Sequence, residues 1–208
     1  MNTALPTENL TGRLAELRRD LLDPGGPQIS QIRAYRFAIF HYAPEAELAM
    51  RRGMKELSAD LKHVGWNVVA VSGIEVFLER LRREARGRVD RLVASERAKF
   101  TRDPLDGLDY VRQWCEPWLE SKDGIAADIA AAIEKRVVRG EEDRTVAFVG
   151  RLGAFYPFYR TSALLRFLDG RVSVPVILLY PGVRVGDRSL SFMGVHSAAD
   201  SDYRPHIY

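Results

Sequence analysis

The residues best suited to metal ligation or nucleophilic attack are His41, His63, His196, His206 and the single cysteine, Cys115. Their spacing supports neither role. A structural zinc site brings cysteines and histidines in pairs a few residues apart, and no two of these five lie that close in the chain. Cys115 also has no obvious base nearby in sequence to take its proton. No metal and no cofactor is therefore expected. Phosphate hydrolysis meets a similar objection. A phosphate loop ends in Gly-Lys-Ser or Gly-Lys-Thr, whose lysine reaches the phosphates, and this chain contains no Gly-Lys pair. The four clearest strands end at His41, Val71, Gly150 and Tyr180, none of them an acid that could hold magnesium. The chain is read as a non-enzyme.

Arginine beside aromatic rings is what the sequence does offer. From Gly150 it reads GRLGAFYPFYRT, with Arg151 and Arg160 flanking Phe155, Tyr156, Phe158 and Tyr159. Guanidinium groups make planar, bidentate contacts to carboxylate and phosphate, and a turn with free backbone amides would add to an anion site. Arginine among aromatics is also the usual composition of a protein–protein hot spot. Two plainer readings stay open: Arg160 can begin a helix and face solvent, and the rings can close one end of the core. Charge placement points the same way as the turn. Residues 1–144 hold 24 basic and 24 acidic side chains, whereas residues 145–208 hold seven arginines, no lysine and four acids.

These residues need a scaffold, and residues 145–182 supply its clearest part. A β-branched apolar run to Gly150 reads as a strand buried on both faces. A turn punctuated by Gly150 and Gly153 follows, then a helical pattern (Leu164, Leu165, Leu168) stopped at Asp169-Gly170, and then a second strand over 174–180 ending at Pro181-Gly182. Strand, turn, helix, strand is a βαβ unit with parallel strands. Earlier in the chain, an aromatic strand over 35–42 leads into a helix with Pro44 in its first turn and an apolar stripe of Met50, Met54, Leu57, Leu61 and Val64. A strand over 66–71 completes a similar unit. In open α/β sheets ligands bind beyond the carboxyl ends of the strands. Those ends would gather His41, Tyr42, Ser72, Glu75, Arg151, Arg160, Tyr156 and Tyr180.

Between these units lie helices in surplus of one crossover. Ser72 and Glu75 form a capping-box pattern at the head of an apolar stripe that runs to Leu92 with only Gly87 interrupting it. Helices opening at Asp103-Pro104 and Gly124 follow. The basic run RLRREARGRVDR (residues 80–91) carries i,i+4 partners for its charges, Glu79 with Arg83, Glu84 with Arg88 and Arg86 with Asp90, which reads as a solvated helix face. At the start of the chain, Leu10, Leu14, Leu17 and Leu21 mark an amphipathic helix ended by Asp23-Pro-Gly-Gly-Pro27. The expected organisation is a helical arm over 1–27 and one α/β domain over 28–208, with a helical insertion at about 84–140. The sheet should be mostly parallel, of about five strands, and flanked by helices. A degenerate P-loop-like (AAA-like) fold without nucleotide motifs stays open. The tail DYRPHIY asks for no regular structure. With 46% hydrophobic and 28% charged residues, one cysteine, and no signal-like or membrane-length apolar segment, the expected location is the cytoplasm.

Taken together, FVGRLGAFYPFYRTSALLRFL, VPVILLYPG, SLSFMGV and DYRPHIY resemble the BrxB family of bacteriophage-exclusion (BREX) systems. FAIFHYAPEAELAMRR extends the likeness back to about residue 35. The resemblance implies a part in defence against phage, beside a site-specific DNA methyltransferase, a large ATPase and the alkaline-phosphatase-like protein PglZ, with PglZ as the expected partner. DNA would be met only through the complex. It implies no catalytic residue. The shared positions fall on Gly150, Arg151, Gly153, Tyr156, Pro157, Arg160, Thr161, Tyr180, Pro181, Gly182 and the Tyr203-Arg204 pair. Candidate partner- or anion-binding residues are then Arg151, Tyr156, Tyr159, Arg160, Thr161, Tyr180, Tyr203 and Arg204. The expected function is a non-catalytic adaptor that binds PglZ; the alternative is a degenerate nucleotide- or nucleic-acid-binding module in the same complex.

Overall fold

One apolar face on each of two helices joins them: α1 (Glu8–Leu21) buries Leu10, Leu17 and Leu21, and α2 (Glu47–His63) buries Met50, Met54, Leu57 and Leu61. In the computed structural model, which describes residues 8–29, 36–119, 121–159, 161–184, 190–194 and 205–208, this pair covers one face of a central sheet. The strands are β1 (Phe37–Tyr42), β2 (Asn67–Ser72), β3 (Thr145–Gly150), β4 (Val176–Arg184), β5 (Leu190–Phe192) and β6 (His206–Ile207). On the opposite face lie α3 (Gly73–Ala85), α5 (Pro104–Leu119), α6 (Ile125–Glu134) and α7 (Thr161–Leu168), while α4 (Val89–Arg102) packs as a hairpin on α5. The period of two in each strand divides its residues between the two layers. Phe37, Ile39, Val149, Leu178 and Tyr180 join the core under α3, α6 and α7. Ala38, Phe40, Tyr42, Phe148 and Ile177 join the core under α1 and α2. Both faces are covered, which is why these strands read as continuous apolar runs.

The sheet order is β2-β3-β4-β1-β6, all parallel, with β5 antiparallel to β4. The α/β class and the largely parallel sheet follow the sequence reading. The β3-α7-β4 unit is formed as expected, with Ala147 opposite Val176 and Val149 opposite Leu178. The first unit is not its mirror: β3 and β4 stand between β1 and β2. Long-range pairing, which no local pattern encodes, decides that.

Four local expectations are corrected. The stripe over 72–92 is two helices, because Arg86 and Gly87 adopt φ of 47° and 77° and turn the chain. As a result, neither Glu84 with Arg88 nor Arg86 with Asp90 forms the expected pair, and Arg83 binds Asp128 rather than Glu79. Ser72 does sit at the helix N-cap, but its hydroxyl makes no capping hydrogen bond and is buried without a partner. Strand β4 does not stop at Pro181-Gly182. It continues to Arg184 by changing partner, from β1 at Tyr42–Pro181 to β5 at Gly182–Phe192. Gly182 is needed there, since a Cβ would collide with the Ser191 carbonyl and the Tyr180 ring. Finally, the tail forms β6 against β1, with the Tyr208 amide donating to the Ile39 carbonyl at 2.9 Å. Among the described residues no helix is long and apolar enough to cross a membrane.

Candidate functional site

The parallel strands converge on one edge of the sheet, where Ser72 lies opposite Gly150 and His41 opposite Tyr180. β1 leads to α2 on one face and β3 leads to α7 on the other, with β4 between them. Such a reversal is where an open α/β sheet places its ligand crevice, so the loop after β1 stands where a phosphate loop would be expected, rather than the turn at 150–153. That loop is Ala43-Pro44-Glu45. Pro44 has no N–H to offer, and Glu45 and Glu47 repel an anion. Glu47 instead accepts a hydrogen bond from the Tyr42 hydroxyl, and burial together with that carboxylate pushes the Tyr42 ionisation up.

The turn after β3 is closed in a different way. Residues Leu152–Phe155 wind into a 3-10 turn that buries Leu152 and Phe155. Amides of Ala154, Tyr156, Phe158 and Tyr159 donate to carbonyls of the turn itself. Those four amides are thus not available to an anion.

What the edge does present is a ladder of rings rising from core to surface. Tyr180 is fully buried, its ring 5.2 Å from that of Phe192 on β5. Phe192, half-buried, lies 6.0 Å from Tyr156, which is 40% exposed. Gly153 lets the turn approach the hairpin, since its Cβ position faces Met193 Sδ at 3.3 Å and Pro181 Cγ at 3.5 Å. Arg151, exposed, flanks the same turn in the left-handed region with φ 57°. A non-glycine residue held there is strained, and such strain concentrates at working surfaces.

Of the sequence candidates, the structure places Arg151 and Tyr156 on this surface. Tyr159 and Tyr180 lie beneath it: Tyr159 meets Phe155 edge to face at 5.8 Å. Arg160, Tyr203, Arg204 and the side chain of Thr161 lie outside the described residues. Phe192 was missed as a site residue. The weak alternation of SLSFMGV marks its strand, but only the antiparallel pairing of β5 with β4 brings its ring to Tyr156.

On the far side of β4, a second polar group surrounds His41. Arg13 of α1 donates to His41 Nε2 at 3.2 Å and to the Tyr208 backbone oxygen at 3.4 Å, and its guanidinium lies 5.1 Å from the Phe40 ring centre. Burial, then Arg13 and Arg184, push the imidazole down to about 4, with the Gly182 backbone partly offsetting them. A neutral His41 accepting from a cation is a structural pairing rather than a poised base. Cys115, on the buried face of α5, has its thiol pushed up to about 12 by burial, which leaves it a thiol and not a nucleophile.

A parallel sheet between two helical layers, with an arginine–aromatic surface at the strand ends, defines an α/β protein. A sequence model of the family described as BREX protein BrxB matches residues 70–206, about two thirds of the chain, and the chain belongs to that family. It is therefore a component of a BREX phage-defence system, in a family that is accessory rather than one of known enzymes. No curated protein and no solved structure matches it.

Proposed function

We propose that this chain is a non-catalytic adaptor that binds a PglZ-type, alkaline-phosphatase-like subunit through the surface formed by the turn after β3 and the β4–β5 hairpin. The observation that carries this reading is Tyr156: a large ring left 40% exposed, yet held in place by Phe192 and flanked by a strained Arg151. A pre-ordered aromatic beside an arginine loses little entropy on binding, which is the character of a hot spot. The family supports the same reading, since a BREX component works among other BREX subunits. Arg160, Thr161, Tyr203 and Arg204 belong to this proposal as further candidate residues for the partner contact.

The test is co-purification with the PglZ-type subunit of the same system, followed on a sizing column at low and high salt. A stoichiometric complex that survives high salt supports an adaptor whose affinity rests on buried rings. Absence of a complex, or one that dissolves at modest salt, overturns it.

A further inference from the structure

The break after Ala85 leaves two guanidinium groups that no acid answers. In one continuous helix Glu84 would lie a turn before Arg88. Instead Glu84 pairs with Arg80 at 2.9 Å, and Arg80 and Arg83 share Asp128 at 3.2 and 2.9 Å. Arg88 and Arg91, both exposed, form no ion pair with any described residue. They line a cleft of about 270 Å³ between α3, α4 and α5, together with Glu84, Ser95, Tyr110 and Trp114. Glu84 is the one acid in that lining, and its charge is already engaged by Arg80. Asp90, in the first turn of α4, is not part of it. A third cation stands close by, for Lys99 Nζ lies 5.3 Å from the centre of the Tyr110 ring.

We infer that this cleft binds a nucleotide unit, its base against Trp114 and Tyr110 and its phosphate on Arg88 and Arg91. The residue types select that class of ligand. Two guanidinium forks with surplus charge fit an anion with several oxygens better than a single carboxylate. Aromatic walls accept the π-face of any base. Ser95 adds a hydroxyl that can donate or accept. At about 270 Å³ the cleft lies just below the usual range of enclosed ligand pockets, which limits it to a single nucleotide unit left partly exposed to solvent. The unit could be a free nucleoside monophosphate or one residue of a single strand, since both present the same ring and phosphate. The cleft is built from different elements than the β3–β4 edge, so it stands independently of the proposed adaptor contact.

Tryptophan fluorescence of the full chain, titrated with adenosine monophosphate in one arm and a short oligothymidylate in the other, tests this directly. Saturable quenching is expected in at least one arm, weakening as salt rises. The double variant Arg88→Ser, Arg91→Ser should bind roughly tenfold or more weakly, with unchanged circular dichroism and unchanged association with the PglZ-type subunit. Arg97→Ser, on the same helix but outside the cleft, should bind as the parent does. Equal affinity for both probes identifies a free nucleotide as sufficient; a response to the oligothymidylate alone identifies a strand. No quenching by either probe, or quenching that the double variant retains in full, overturns the inference.

Discussion

Acidification should unlock the contact between α1 and the end of β1. In the folded chain Arg13 donates to His41 Nε2, and because a guanidinium can only donate, that nitrogen must keep its lone pair. Protonating the imidazole would set two donors and two positive charges against each other, with Arg184 adding to the repulsion. The folded-state value of about 4 lies below the 6.5 of an unfolded histidine. Between these values the unfolded chain binds the extra proton and the folded chain does not, so stability falls as pH drops from 6.5 toward 4 and is unaffected above that window. A shift of about two and a half units corresponds to roughly 3 kcal/mol, which the partial exposure of the ring reduces to about 2 kcal/mol. The assay is urea denaturation at a series of pH values for the parent and for His41→Gln, whose amide oxygen can still accept from Arg13 but does not titrate. The stability of the parent relative to His41→Gln should fall by about 2 kcal/mol between pH 7 and pH 4. A difference that stays flat, or that moves in favour of the parent in acid, would refute the reasoning, as would an imidazole seen to titrate near 6.5 in the folded protein by nuclear magnetic resonance.

Other consequences follow from the same structure. Tyr156→Ala should weaken the complex with the PglZ-type subunit by about 2 kcal/mol, some thirtyfold, while leaving the melting temperature nearly unchanged, because the ring is a surface anchor; calorimetric titration reads the first and a thermal melt the second. Gly182→Ala should cost about 2 kcal/mol or more and loosen the β4–β5 hairpin, since the new methyl meets the Ser191 carbonyl, and amide exchange at Met193 should rise with it. Leu164→Ala, at a fully buried position of α7, should cost about 2–5 kcal/mol in denaturant titration without affecting the aromatic surface. Cys115 should resist alkylation by thiol reagents at neutral pH until the chain unfolds, as its buried thiol stays protonated.

The amino-acid sequence by itself determined the local elements and their class. Apolar runs over β1, β3 and β4 need burial on both faces, which requires helices on both sides of a parallel sheet. The stripe of Met50, Met54, Leu57 and Leu61 specifies which face of α2 turns inward. The lack of a Gly-Lys pair shows in the sequence alone that the chain carries no P-loop motif, whereas the approach of Glu16, Asp20 and His206 to within 4.8 Å of one another could not be read from spacing. Arg151 and Tyr156 were legible as candidates because arginine beside aromatics in a strand-end turn is chemically unusual wherever it lies.

Tertiary structure alone decided the rest. Strand order depends on pairings between residues far apart in the chain, and nothing local shows that β3 and β4 separate β1 from β2. The same is true of β6, a two-residue strand that forms only because β1 offers it an open edge. Burial sorted the tyrosines: the sequence presents Tyr156, Tyr159 and Tyr180 alike, but packing leaves one exposed and sinks two in the core. And a left-handed turn at Arg86 and Gly87, which breaks a stripe that would otherwise read as one helix, separated Arg88 from Glu84 and set it beside Arg91 in the lining of a cleft. Pairing read along a helix holds only while the helix continues, and the point where it stops is set by what α4 packs against.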